Sequence, residues 1–492
     1  MQRQTLRIPT QELVTGNSDG ETGSLKHNSV GLLGTIGIAV GPQAPTGGIN
    51  LLPAIMAGIV GASASLSFLL GLVAMVFVAY AFVIFSRRIA SAGQSYSYAS
   101  VAMGSGYGVT TGFVWLVAFF AVAGWLSVQD GNYLVSLFLP AGVHLPWLPM
   151  SIFMWALMVI LSYRSVHVSA ITVVLVEAFG LGLMLIVAIA VLVHGGYHGH
   201  GLSFKPFTTN HQSFNKIMLG VVFAFTSFSG FEAAGGLGEE ATRPKWAIPL
   251  SIFSALLISG VIYVFMTWIE TVAVASAGVL AKQTAPLVMI SNRYIGSAMG
   301  TIMNIAALIS GFGAQVACLV GGVRVLYALS RDGLSGRART TMTRTHPKFG
   351  TPLMPFVVGS VGSLLSFLCF SGAGPLGTIT DVSTYGADIE VIVYLLVVVA
   401  AIVFCWRWER KPIHFVVLII GAVVMGYVVK DTLYPVPAYP LNWSMYAALF
   451  TLLVGTLVGT ASPALRRRFA AARRAEHAQM LGSLEATTNG AS

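Results

Sequence analysis

Apolar residues come in long runs separated by short polar segments. Twelve runs approach the roughly 20 residues a helix needs to cross a bilayer. They are Val30 to Val60, Leu66 to Phe85, Gly108 to Phe138, Leu148 to Leu161, Ala170 to Val193 and Ile217 to Leu237. Ile248 to Ala277, Ala298 to Leu329, Leu353 to Phe370, Tyr385 to Trp406, Phe415 to Val429 and Trp443 to Ala461 complete the set. The pattern predicts an all-α membrane protein of twelve transmembrane helices, of which the fourth and eleventh are the shortest. Two runs are interrupted. The first reads GLLGTIGIAVGPQAPTGGINLLPAIMAG, with Gly41 to Gly48 between its apolar ends. Proline removes a backbone donor and clashes with the preceding turn, so the helix should open there. The sixth gathers Thr226, Ser227, Ser229, Gly230 and Glu232 at membrane depth, followed by Gly235 and Gly236. Hydrocarbon offers the backbone no hydrogen-bond partners, so such residues suit a helix broken beside a cavity.

Spans one and six are the first members of two successive groups of five. Interrupted spans at corresponding positions of two halves are the mark of an inverted repeat built around a midplane site. The expected segments are a tail at 1–28, a first repeat at 29–193 and a second at 216–406. Two further spans follow at 407–462, then a basic tail at 463–492. Half-helix N-termini suit a carboxylate, and half-helix C-terminal ends suit an ammonium or a cation.

Charge fixes an orientation. Placing both termini in the cytoplasm assigns 22 of the 27 Lys and Arg residues to inside segments; Lys205, Lys216, Lys282, Arg293 and Lys430 fall outside. That asymmetry follows the positive-inside rule. It also explains the net charge of +10 without nucleic acid, because the basic residues are spread between spans rather than packed on one face. Charged residues are 9% of the chain against roughly 25% in soluble domains, which excludes a soluble globular protein. Cys318, Cys369 and Cys405 lie in apolar runs, giving neither a disulfide framework nor a zinc spacing. Residues 1–28 lack the apolar core of a secretory signal.

Four segments carry a family resemblance. They are the proline-containing break at 36–48; SRRIASAGQSYSYASVAMGSGYG, Ser86 to Gly108; GFEAAGGLGEEATRPKWAIP, Gly230 to Pro249; and RVLYALSRDG, Arg324 to Gly333, with HPKFGTP ending at Pro352. The chain resembles the amino acid–polyamine–organocation superfamily, specifically a bacterial amino acid permease. The resemblance implies a leucine-transporter-like fold of 5+5 inverted repeats, with substrate between broken helices one and six and alternating access around it. Carried onto this chain, substrate contacts fall on Val40, Gly41, Pro42, Gln43, Ala44, Pro45 and Thr46, and on Thr226, Ser227, Phe228, Ser229, Gly230 and Phe231. It further implies a substrate carboxylate on the first break, an α-amino group on the sixth, and Phe228 and Phe231 as gating aromatics. The first break departs from the family's Gly-Ser-Gly type, so substrate identity does not carry across.

Glu232 is an ionisable group at membrane depth, a functional candidate by default; it reads equally as a proton-coupling group and as a structural carboxylate holding span six. Glu177, mid-span five, reads first as an interhelical hydrogen bonder and second as a proton site. Asp130 and Glu270 are expected near the interface and Asp381 in a loop, whereas Asp388 and Glu390 stand within span ten. The histidines at 194, 198, 200 and 211 fall in an outward loop. Span eight supplies only Ser310 near the depth a sodium site would need, which favours protons or exchange over sodium. No cofactor or metal is expected, and no spacing suits a membrane-embedded enzyme. The reading is an inner-membrane permease for an amino acid in the lipid bilayer. A polyamine or organic cation carrier is the alternative, ahead of a channel or a non-transporting sensor; the oligomeric state is open.

Overall fold

The computed structural model describes residues 30–89, 93–138, 142–164, 170–199, 201–237, 241–434, 436, 441–460, 467–471 and 474. Within them the chain is helical, and the only extended pairings are two isolated bridges, Val30 with Ala241 and Thr345 with Pro352. The first half comprises α1 (Leu32–Val40), α2 (Pro45–Ile49), α3 (Leu52–Val60), α4 (Ala64–Ser86), α5 (Ser95–Met103), α6 (Ser105–Phe138), α7 (Trp147–Tyr163) and α8 (Ala170–Val193). The second comprises α9 (Phe214–Phe228), α10 (Pro244–Val272), α11 (Ala277–Leu280), α12 (Pro286–Tyr294), α13 (Ser297–Gly333), α14 (Gly336–Thr343), α15 (Leu353–Leu368) and α16 (Gly374–Phe404), followed by α17 (Pro412–Leu433) and α18 (Leu441–Thr460). Among the described residues nine helical stretches are long and apolar enough to cross a membrane, and α7 is a shorter apolar helix. This is a multi-pass membrane protein.

Two long helices organise the bundle. α6 lies against α7, α13, α15, α16 and α18, while α4 packs on α9, α10 and α17. The outer helices leave one apolar face uncovered. Leu175, Phe179 and Ile186 on α8 are exposed, as are Val416, Ile419 and Val423 on α17 and Tyr446, Phe450, Leu453 and Leu457 on α18. These recur three, four or seven residues apart, the spacing of a single helix face, and they turn that face to lipid.

The connections sort into two ends. At one, Glu409 accepts from Arg88 Nε at 3.1 Å and meets His414 Nε2 at 2.9 Å. Arg407 donates to the Ala102 carbonyl (3.0 Å), Tyr96 to Asp332 (3.2 Å) and Thr242 to the Val30 carbonyl (2.9 Å). Phe469 packs its ring edge-on against Tyr96 at the same end. At the other end Ser63 bonds the Thr209 carbonyl and Trp268 the Ser203 carbonyl, both at 2.9 Å. The segments assigned to one side by their arginines thus meet each other.

Several expectations need correction. Asp381 is not in a loop: α16 begins at Gly374, well before the apolar run, and buries Asp381 to 3% exposure. The polar stretch there stays helical because it packs inside the bundle, which hydropathy does not register. Thr378 also returns its hydroxyl to the Gly374 and Phe370 carbonyls. Asp130 and Glu270 are wholly buried inside the bundle. α17 extends beyond the short run expected for it. Residues 1–28, His200, Glu239, Glu240, Arg466 and most of the C-terminal tail lie outside the described residues.

Glu409 is 9% exposed and serves two partners. Removing its carboxylate takes away the contact with Arg88 Nε, and a hydrogen bond to a charged group contributes about 2 kcal/mol. Glu409→Ala should therefore lower the melting temperature of the detergent-purified protein, with Glu409→Gln in between; an unchanged midpoint for both would show that this junction does not stabilise the fold.

Candidate substrate site at two helix breaks

The first span folds in pieces because its sequence stops a helix repeatedly. α1 ends at Val40, and Gly41–Gln43 tightens into a 3-10 turn containing Pro42. Ala44 then turns left-handed (φ 39°, ψ 58°), a conformation that costs an L-residue about 1–2 kcal/mol. Pro45 restarts the chain at the first position of α2, where its missing N–H would have been unpaired anyway.

Neighbouring helices hold the backbone this opens. Tyr263 of α10 donates to the Gln43 carbonyl (3.3 Å) and Tyr133 of α6 to the Gly47 carbonyl (2.8 Å). The Gly47 amide donates to Ser310 Oγ on α13 (3.1 Å). Gln43 folds back so that Nε2 caps the Ala39 carbonyl (2.9 Å), leaving its buried Oε1 without a partner among the described residues.

Glu177 completes this support. Its Oε2 accepts from the Thr46 amide (3.4 Å) and hydroxyl (3.0 Å), and its Oε1 from Ser310 Oγ (2.6 Å). One carboxylate from α8 thus clamps the start of α2 to α13. A negative charge at a helix start is favourable, and the three donors satisfy a group that is only 5% exposed.

The sixth span breaks once. α9 ends at Phe228, Ser229 is extended (φ −58°, ψ 143°), Gly230 has φ 104°, and Phe231–Leu237 resumes as 3-10 helix. Gly230 is required twice over. Its φ is one that L-residues rarely adopt, and a Cβ there would lie 2.6 Å from Pro42 Cβ and 3.3 Å from the Gln43 nitrogen. The two breaks therefore touch, backbone against backbone.

Carboxylates gather on the far side of this contact. Ser229 Oγ donates to Glu390 Oε1 of α16 at 2.8 Å. Glu232 turns its carboxylate toward the Gly230 amide and the Tyr394 hydroxyl, within electrostatic reach of Glu390. Both glutamates are at most 2% exposed, and each keeps one oxygen without a partner among the described residues. No lysine, arginine or histidine is among the buried residues described.

The structure brings Pro42 and Gln43 against Gly230, and Thr46 against Glu177. Val40 closes α1, whereas Gly41 faces Val173 of α8, away from the sixth break. The hydroxyls of Thr226 and Ser227 are buried and unpartnered among the described residues. Phe228 stands edge-on to Phe68 and Tyr263, and Phe231 to Phe82, both rings fully buried. Sequence reasoning did not place Glu390, Tyr133 or Tyr263 here. A carboxylate inside an apolar span was the only available signal for Glu390, and nothing marked the tyrosines.

The Gly230 contact yields a direct test. Gly230→Ala adds backbone strain of about 1–3 kcal/mol to a collision with Pro42. Its melting temperature should fall well below wild type, whereas Gly58→Ala, with its nearest neighbour at 3.8 Å, should change little. Equal stability of the two variants would mean that the breaks do not press on one another.

Comparison with known proteins follows the same lines. A family model described as amino acid permease matches residues 28–458. The chain is 26% identical over 362 residues to the branched-chain amino acid permease BcaP of Lactococcus lactis, covering 70% of this chain and 77% of that protein. It is 25% identical over 327 residues to the low-affinity putrescine importer PlaP of Escherichia coli, covering 63% and 68%. The methylthioribose transporter of Bacillus subtilis is 25% identical over 362 residues, covering 68% and 74%. With its broken helices described and its length so matched, the chain belongs to the amino acid permease family of the amino acid–polyamine–organocation superfamily, whose members are transporters.

Proposed function

We propose that this chain is a secondary active permease carrying an amino acid across the cytoplasmic membrane by alternating access, coupled to protons or run as an exchanger. The contact between Pro42 and Gly230 carries the reading, because it joins two interrupted helices where polar backbone is concentrated at membrane depth. In this reading α1 to α3 form span one, α9 with the 3-10 segment after it forms span six, and twelve spans divide into repeats at 29–193 and 216–406. Spans at 407–462 and a basic tail at 463–492 follow, with both termini in the cytoplasm.

The substrate carboxylate would meet amides released at Val40 to Thr46, and the ammonium would meet the carbonyls and hydroxyls of Thr226 to Phe231. Phe228 and Phe231 would gate the path. Glu232 is assigned to proton coupling. Glu177 gains a second role beside its clamp: protonation would weaken its hold on Thr46 and free α2 from α13.

A second reading has its own support. Glu232 and Glu390 give the sixth break two carboxylates with no buried base nearby among the described residues, which suits a diamine or other organic cation. Uptake into proteoliposomes decides between them. The amino acid reading expects saturable uptake of a labelled amino acid, competed by its analogues and not by putrescine; competition by putrescine alone would transfer the assignment to the organic cation.

Coupling is tested separately. Glu232→Gln should flatten the dependence of uptake on external pH while leaving binding measurable by thermal shift. An unaltered pH profile removes Glu232 from the coupling step.

A further inference from the structure

The connection between α13 and α15 carries a basic patch that the transport reading leaves unused. α14 bears Arg337 and Arg339, Arg344 and Lys348 follow it, and no acidic residue occurs between Asp332 and Asp381. Asp332 itself is engaged by Arg331 at 2.9 Å and by Tyr96 at 3.2 Å. Arg337, Thr340, Thr341 and Arg344 are exposed, whereas Met342 and Thr343 are half-buried. Positions three, four and seven residues apart share one helix face, so α14 turns outward a face with an arginine at each end.

That face borders a groove. Thr340, Thr341 and Arg344 line one side, and Leu353 and Met354 at the start of α15 line the other; its volume is about 190 Å³, far more than one water needs. The backbone around it is pinned. The Leu353 amide donates to the Arg344 carbonyl at 3.0 Å, the His346 amide to the Thr351 carbonyl at 2.9 Å, and Thr351 Oγ1 to the Tyr163 carbonyl of α7 at 2.9 Å. The rings of His346 and Phe349 stand edge-on to Tyr163. The Thr340 and Thr341 hydroxyls direct their protons to the Gly336 and Arg337 carbonyls, at 3.2 and 2.9 Å. The two guanidinium groups are therefore the donors left on this face, and neither has a partner among the described residues.

The apolar side of the groove continues into the lipid-facing surface. Met354, Val357, Val358, Val361 and Leu365 are exposed along one face of α15. The groove lies where that face begins, at the edge of the hydrocarbon, with its basic rim on the aqueous side. A free anion makes no use of the apolar half, and an acyl chain alone makes none of the arginines. An anionic phospholipid satisfies both. Guanidinium forks match phosphate oxygens, and basic clusters beside membrane spans attract anionic headgroups.

We propose that the groove between α14 and α15 binds one anionic phospholipid, with its phosphate on Arg337 and Arg344 and its chains along Met354, Val357 and Val358. The site is separate from the helix breaks, and the bound lipid would tie the connection after α13 to the membrane surface.

The test reads binding and does not depend on which solute is carried. Detergent-purified, delipidated protein is titrated with dioctanoyl phosphatidylglycerol or with dioctanoyl phosphatidylcholine. Melting temperature is followed, and lipids retained per chain are counted by native mass spectrometry. Phosphatidylglycerol should raise the melting temperature saturably, because a ligand of the folded state stabilises it by mass action, and one copy should be retained. Phosphatidylcholine should do neither at the same concentrations. Arg337→Gln and Arg344→Gln should each weaken phosphatidylglycerol binding several-fold, and Met354→Asp should weaken it with both arginines intact. Lys245→Gln, which removes an exposed cation at the start of α10, should leave it unchanged. All four side chains are exposed, so the variants should keep the fold, which melting without lipid verifies. Equal responses to the two lipids, an undiminished response in the double variant of Arg337→Gln with Arg344→Gln, or an equal loss in Lys245→Gln overturns the site. Stabilisation by inorganic phosphate alone that matches the lipid also overturns it, by marking a plain anion site.

Discussion

Backbone polar groups in a membrane must find partners within the protein, and this requirement governs the structure. A continuous helix meets it alone, and most of the spans do so. The first and sixth spans do not, so other helices supply what they lack. Tyr133, Tyr263, Ser310 and Glu177 come from four different helices to hold the first break. Glu390 comes from a fifth to hold Ser229 at the sixth. The long helices α6, α13 and α16 are thus more than packing partners. They carry the side chains that make an open backbone tolerable.

That arrangement concentrates acid. Asp130, Glu177, Glu232, Glu270, Asp381, Asp388, Glu390 and Asp431 are all buried, against no buried base among the described residues. The basic residues sit in connections and at helix ends, where Arg88 and Arg407 tie neighbouring segments together. A chain with net charge +10 therefore has, among the described residues, an interior whose carboxyl groups have no base to offset them. Such an interior favours protons, cations and ammonium groups over free anions, and gives a carboxylate-bearing solute reason to seek backbone amides.

Much of this was legible in the sequence, for identifiable reasons. Gly41, Pro42 and Pro45 state their effect locally, so the opening of span one could be read without knowing any neighbour. Ser229 and Gly230 did the same for span six. Contacts between helices were not legible, because hydropathy records how apolar a residue is and not which face it occupies. Glu177 could be placed mid-span, but its bonds to Thr46 and Ser310 depend on three helices meeting. The start of α16 was misread for a related reason: a polar turn packed inside the bundle resembles a loop when only its residues are counted.

The absence of a side chain at position 230 has a consequence for how the sequence can vary. Pro42 fills the space a larger residue at 230 would need, although the two positions are far apart in the chain. Substitution at one is constrained by the identity of the other, so the pair would be inherited together, and exchanging either break alone between distant homologues would create a mismatch at the seam.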